Sequence, residues 1–210
     1  MKAVFFDFDG VICDSMPGHV NSWLHASREQ GVVINAELIY KNEGVTTLEA
    51  AELIRNIAAK NNIKVDVPKL IRSKTEYYEK FCRPGIFKDV PGMLEKIKKL
   101  GFKIGIVSGG DKEVIKKDLP KELLKYFDVI VDASDYKKGK PAPDAYLTAA
   151  KKLKLPPADC VALENAPLGI KAAKSAGMKC IAITTTLKKE DLSEADVIIN
   201  GHSEVPGILS

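Results

Sequence analysis

Six short apolar runs mark the chain: Ala3 to Phe6, Lys103 to Val107, Val129 to Val131, Cys160 to Leu163, Lys179 to Ile183 and Val197 to Ile199. Most are apolar at consecutive positions rather than at every second one, as strands covered on both faces must be. Helical periodicity follows over Gly92 to Leu100, Lys112 to Leu124, Pro143 to Leu153 and Pro167 to Ala176, and Gly101 and Gly177 sit where helix C-terminal glycines belong. Short strands alternating with helices predict an α/β fold, a Rossmann-like parallel sheet flanked by helices.

The alternation fails once. Between Ser15 and about Phe81 no strand pattern occurs, and the apolar positions recur at helical spacing: Val20, Trp23, Leu24 and Ser27, then Leu48 to Ala59, then Val67 to Phe81, with a short helix near Ala36 to Tyr40. Such a block predicts an inserted four-helix bundle. The chain then divides into an α/β core of residues 1–14 and 83–210 and a helical cap domain of residues 15–82, with hinges near Asp14 to Pro17 and near Arg83 to Val90, where Pro84-Gly85 and Pro91-Gly92 punctuate the return.

Composition narrows the function classes. With 45% hydrophobic and 29% charged residues over 210 positions, the chain can bury a core without disulfide or metal staples, and disorder is excluded. No run of 18 apolar residues and no secretory leader pattern is present, so a cytoplasmic protein with no membrane partner is expected. The net charge of +4 suggests polyanion binding, but only Arg28, Arg55, Arg72 and Arg83 are arginines and the lysines are interspersed with acids. That is the pattern of solvated helix faces, not of a phosphate-tracking stripe, so no nucleic-acid partner is expected. Cys13, Cys82, Cys160 and Cys180 lack C-x-x-C spacing and read as thiols in a reducing compartment.

The most informative stretch is Phe5-Phe6-Asp7-Phe8-Asp9-Gly10-Val11. Two carboxylates leave the C-terminal end of a buried strand, the edge at which α/β sheets build their sites. Their mutual repulsion calls for a compensating cation, and such an oxygen-rich cluster suits Mg²⁺. Taken alone, the pair is a weak signal, because a helix cap or an acidic turn also accounts for it. Three more strand ends carry chemistry: Ser108-Gly109-Gly110 could hold a phosphate oxygen, Lys140 before Pro141 could neutralise a carboxylate and a phosphoryl group, and Glu164-Asn165 offers an acid and an amide oxygen. Each has a plainer reading, as a turn, a surface lysine or a helix cap. Their occurrence at successive strand ends is what chance does not explain.

Together, Asp7-x-Asp9-Gly10, Ser108, Lys140 and Glu164-Asn165 resemble the four motifs of the haloacid dehalogenase superfamily of phosphohydrolases, over essentially the whole chain. The insertion between the first two motifs is similar to the subgroup with a four-helix cap, which includes β-phosphoglucomutases and small phosphate-ester phosphatases. The resemblance implies a Mg²⁺-dependent phosphatase acting on a small phosphorylated metabolite, with Asp7 as nucleophile and Asp9 as general acid and base. It further implies a metal held by Asp7, the Asp9 main chain, Asn165 and Glu164, and phosphate oxygens held by Ser108, Gly109 and Lys140. A dehalogenase would have no use for the second aspartate.

The chain departs from the family pattern at Asn165, where an aspartate is usual, so the site loses one negative charge. In the cap, His19 matches a histidine of the mutases, or else is a cap-helix residue stacked near Trp23. Thr47 stands where the mutases carry an arginine that clamps a second phosphate, which weakens the phosphosugar mutase reading. Glu43 in Glu43-Gly44-Val45 is either an exposed helix-flanking acid or, as in similar family members that hydrolyse inorganic pyrophosphate, an acid restored near the metal. His19, Glu43, Thr47 and Gly109 are therefore the expected substrate-binding residues, and pyrophosphate is an alternative substrate. A catalytically silent binding module is the reading from another class, which the intact acids and Lys140 disfavour.

Overall fold

The computed structural model describes residues 1–210. Its centre is a six-stranded, all-parallel sheet in the order β3-β2-β1-β4-β5-β6, built from β1 (Ala3–Phe6), β2 (Lys103–Val107), β3 (Val129–Val131), β4 (Cys160–Glu164), β5 (Lys179–Ile183) and β6 (Val197–Ile199). Strand order runs one way from β1 to β3 and the other way from β1 to β6, so β1 marks the topological switch point.

Alternation within β1 sorts its side chains between two cores. Val4 and Phe6 join a cluster with Met93, Leu94 and Ile97 of α5 (Val90–Lys99), whereas Ala3 and Phe5 face Ala145, Tyr146 and Ala149 on the other side of the sheet. All four β1 residues are fully buried, which is why the run shows no polar alternation.

The helical insert has its own core. Helices α1 (Met16–Glu29), α2 (Ala36–Lys41), α3 (Thr47–Ala59) and α4 (Val67–Phe81) enclose a cluster that includes Met16, Val20, Trp23, Ile54 and Leu70. Asp66 caps α4 by accepting from Lys69 N at 2.9 Å. The two connections to the core pair with each other, Asp14 N donating to Gly85 O at 2.8 Å and Phe87 N to Ile12 O at 3.2 Å.

One helix expected over Lys112 to Leu124 is two: α6 (Lys112–Asp118) and α7 (Lys121–Leu124). Leu119 is extended because Pro120 follows it, and a residue before proline is pushed out of the helical region. Two further helices, α8 (Asp144–Lys152) and α9 (Pro167–Ser175), cover the sheet, and α10 (Val205–Leu209) packs near α5 at the end of the chain. No helix is long and apolar enough to cross a membrane.

Candidate active site

Asp7 follows β1 directly, and its N–H donates to Leu163 O at 3.0 Å, so its backbone continues the ladder to β4. The chain then turns sharply, with Ile12 N and Cys13 N both donating to Phe8 O at 2.9 Å. Gly10 makes the turn at φ +75°, and a Cβ there would stand 2.2 Å from Asn165 Nδ2, so glycine is required on both conformational and steric grounds.

Lys140 is buried beneath Asp7. Its ammonium donates to Asp7 Oδ1 at 2.6 Å, to Glu164 Oε1 at 2.7 Å and to Val107 O at 3.4 Å, which occupies its three donors. Tyr146 Oη adds a second hydrogen bond to Glu164 Oε1. Burial works against the charge on Lys140, but Asp7 and Glu164 outweigh it and hold the ammonium protonated. Burial pushes the Asp7 carboxyl up to about 8, with Lys140 pulling against the rise and Glu164 and Asp9 adding to it. Asp7 Oδ2 has no protein partner and Asp7 lines a cavity.

Asp9 sits differently. Ser15 Oγ donates to its Oδ1 at 2.5 Å and His19 Nε2 lies 3.1 Å from the same oxygen. Burial opposes ionisation, but these contacts with His19 and Ser15 prevail and hold the carboxyl below its ordinary range. The other oxygen, Oδ2, is left to face the loop after β2, 3.9 Å from where a Cβ on Gly110 would stand. In that loop Ser108 Oγ accepts from Gly110 N at 3.0 Å, which leaves its own proton free to donate. Gly109 and Gly110 line the same cavity as Asp7 and Asp9.

The cap closes the other side. Glu43 is buried, only 7% exposed, which removes the reading of an exposed helix-flanking acid. Its Oε1 accepts from Asn165 Nδ2 at 2.8 Å, and Thr186 Oγ1 accepts from the same amide at 2.9 Å. Burial, with repulsion from Asp7, raises the Glu43 carboxyl well above its ordinary value. Asn165 Oδ1 and Glu43 Oε2 are buried and have no hydrogen-bond partner. Two orphaned acceptors on facing residues cost about 1–3 kcal/mol each unless something positive satisfies them. Asp7, Asp9, Glu43 and Glu164 also lie close enough to repel one another, and of the four only Asp7 and Glu164 touch the buried Lys140 ammonium. This donor set fits a divalent cation taking oxygen from Asp7, the Asp9 main chain, Asn165 and Glu43. Glu164, expected among the ligands, is instead joined to Lys140 and Tyr146.

The cavity between cap and core has a volume of about 550 Å³, within the range of small-molecule sites. Thr47 lines it, as do Met16, Trp23 and Ile39. His19 stacks on Tyr78, with ring centroids 4.4 Å apart and planes 12° from parallel, so of its two readings the one that stacked it near Trp23 is replaced by a different ring partner. Sequence reasoning missed Lys74, whose ammonium lies 5.2 Å from the Tyr78 ring and 5.7 Å from the Trp23 ring, lines the cavity and makes no ion pair. The one signal for it was its i,i+4 spacing from Tyr78 on α4, which reads equally as an ordinary amphipathic face.

Comparison with known proteins gives the same picture. Residues 1–177 match the haloacid dehalogenase-like hydrolase family. The chain is 31% identical to β-phosphoglucomutase of Bacillus subtilis, covering 98% of this chain and 92% of that one. It is 30% identical to fructose-1-phosphate phosphatase YqaB of Escherichia coli, covering 86% of this chain and 95% of that one. It also spans 19% of the chloroplastic Suppressor of Quenching 1 protein of Arabidopsis thaliana, where 93% of this chain aligns at 32% identity. The crystal structure of β-phosphoglucomutase from Clostridium difficile superposes with a TM-score of 0.83 at 25% identity, covering 98% of this chain and 93% of that one. The strand order, the motifs at the strand ends, the helical insert and these relationships lead to one assignment: the chain belongs to the haloacid dehalogenase-like hydrolases, in the branch with a helical cap that includes the β-phosphoglucomutases and related phosphatases.

Proposed function

We propose that this protein hydrolyses the phosphate ester of a small metabolite through an aspartyl-phosphate on Asp7, with residues 15–82 acting as the cap that selects the leaving group. The observation that carries the reading is the division of labour between the two aspartates: Asp7 is held by Lys140 through Oδ1 with Oδ2 free, and Asp9 is held by Ser15 and His19 through Oδ1 with Oδ2 turned to the Ser108–Gly110 loop.

In the first step ionised Asp7 attacks phosphorus through Oδ2, the ester bond to the leaving oxygen breaks, and Asp9, which must enter this step protonated on Oδ2 although His19 and Ser15 favour its ionised form, supplies that oxygen with a proton. In the second, Asp9 takes a proton from water as the water oxygen attacks phosphorus, which releases Asp7 and inorganic phosphate. Ser108 donates its hydroxyl proton to a phosphoryl oxygen. Lys140, whose donors are engaged, contributes charge rather than a direct bond and holds Asp7 in place. Asp7, the Asp9 main chain, Asn165 and Glu43 would hold Mg²⁺. When bound, Mg²⁺ supplies positive charge that favours ionised Asp7 and polarises a phosphoryl oxygen.

Asp7→Asn should abolish hydrolysis of p-nitrophenyl phosphate in the presence of Mg²⁺ while leaving the fold intact by circular dichroism. Retention of wild-type turnover would overturn the reading.

A second substrate, inorganic pyrophosphate, is favoured by the buried Glu43–Asn165 contact, because an acid brought to the metal from the cap repels bulky anionic leaving groups more than a small metal-complexed one. A panel of pyrophosphate, sugar phosphates and phosphoglycolate with Mg²⁺ separates the two. Pyrophosphate as the best substrate, with its rate lost in Glu43→Ala, selects this reading; an unchanged pyrophosphate rate in that variant discards it. Thr47 provides no clamp for a second phosphate, which leaves the mutase reading without its usual anchor.

A further inference from the structure

The stacked rings of His19 and Tyr78 belong to α1 and α4 of the insert, and each reaches across to the core. His19 Nε2 lies 3.1 Å from Asp9 Oδ1. Tyr78 Oη donates to Asp118 Oδ2 at 3.1 Å, on the last turn of α6. With ring planes only 12° apart, the stacked pair contacts the core at two points. Asp118 is an unfavourable residue for its place: it is partly buried, has no lysine or arginine partner within ion-pair distance, and sits at a helix C-terminus, where the backbone dipole opposes negative charge. The hydroxyl of Tyr78 is its only side-chain partner.

We propose that Asp118 and Tyr78 are positioning residues for the general acid and base: their hydrogen bond across the boundary between insert and core seats the ring on which His19 stacks, and so fixes His19 against Asp9. This rests on the reading of Asp9 as the proton carrier. Asp9 Oδ1 depends on His19 and Ser15 for its orientation, and losing one of them frees the carboxylate to rotate Oδ2 away from the reacting oxygen. Asp118 is not part of the cavity wall, and Tyr78 lines it with a ring that Tyr78→Phe retains, so the effect falls on turnover rather than on substrate binding.

The test compares Tyr78→Phe, Asp118→Ala, Asp118→Asn and the Tyr78→Phe/Asp118→Ala double variant. With p-nitrophenyl phosphate and Mg²⁺, Tyr78→Phe and Asp118→Ala should each lower kcat by about tenfold with KM within about twofold, a fraction of the full contribution of a general acid. Asp118→Asn, whose amide oxygen still accepts from Tyr78, should recover most of the loss. The double variant should be no worse than either single one, because both remove the same contact. In a His19→Ala background Asp118→Ala should have no further effect. Independent changes that multiply, or a kcat that does not move, overturn the proposal. A readout free of activity separates this from failure of the phosphatase reading. The chain has three histidines, so the imidazole ¹⁵N resonance of His19 can be assigned with His19→Ala. It should shift in Tyr78→Phe and Asp118→Ala and return in Asp118→Asn, and an unmoved resonance sinks the proposal whatever the substrate.

Discussion

Lys140 is the residue on which the site's electrostatics turn. Its ammonium is completely enclosed and touches both Asp7 and Glu164, so its removal leaves two buried carboxyl groups without their shared counter-charge. Breaking a buried pair in this way costs about 3–5 kcal/mol, far more than loss of the surface pairs that the other lysines make. Lys140→Met should therefore lower the urea midpoint markedly as well as abolish turnover. Adding Glu164→Gln, which removes the excess charge and keeps an acceptor for Tyr146 Oη, should restore a large part of the stability and none of the activity. Strictly additive losses in the double variant would show that the three groups are not coupled. Asp7, Asp9, Ser108, Lys140 and Asn165 were legible in the sequence because a strand end fixes where a side chain emerges, and polar residues there have few structural uses. Lys74, Tyr78 and Thr186 were not legible. Their roles arise from which helix or loop packs opposite, and nothing local in the chain distinguishes them from ordinary surface or core positions.

At the scale of elements, the loop from Glu43 to Thr46 joins the insert to the chemistry. Its end is fixed by the capping box of α3, with Thr46 N donating to Glu49 Oε2 at 2.8 Å and Glu49 N to Thr46 Oγ1 at 3.3 Å. Its approach to the core is fixed by glycine. A Cβ on Gly109 would stand 2.9 Å from the carbonyl oxygens of both Gly44 and Val45, backbone atoms that can yield only if the whole loop withdraws. Gly109→Ala should thus push the loop, and Glu43 with it, off the site. A displacement of that kind costs about ten- to a hundredfold in kcat/KM, while the unfolding midpoint should barely change because no core contact is lost. A drop in stability with unchanged kcat/KM would instead place Gly109 in a structural role. Strands and most helices were readable from their apolar pattern. The α6–α7 break was signalled by Pro120 but obscured by the continuous helical period around it, and the capping box at Thr46 was visible only as a Thr-x-x-Glu spacing, without the Gly44–Gly109 contact that gives it meaning.

Over the whole molecule, net charge is a poor guide and local charge a good one. The surplus of cations lies on exposed helix faces, while Asp7, Asp9 and Glu43 line the space between insert and core and the buried Lys140 ammonium joins Asp7 to Glu164 behind them. A divalent ion held as proposed would take oxygens from both sides of the cleft, Glu43 from the insert and Asn165 from the core, so its affinity would be linked to how the insert is seated, each strengthening the other. An ion that binds only the folded state stabilises it by about 2.7 kcal/mol at a hundred times its Kd, which for a chain of this size raises Tm by roughly 5–10 °C. Mg²⁺ should therefore shift the thermal transition of the wild-type protein upward in a concentration-dependent manner. Glu43→Gln should remain folded, and should be more stable than wild type without Mg²⁺ because it no longer buries a carboxylate among like charges; its Mg²⁺ titration should move to higher concentration. Equal titrations for the two proteins would mean that Glu43 lies outside the ion's reach, and that the orphaned oxygens of Glu43 and Asn165 are satisfied by something other than a metal.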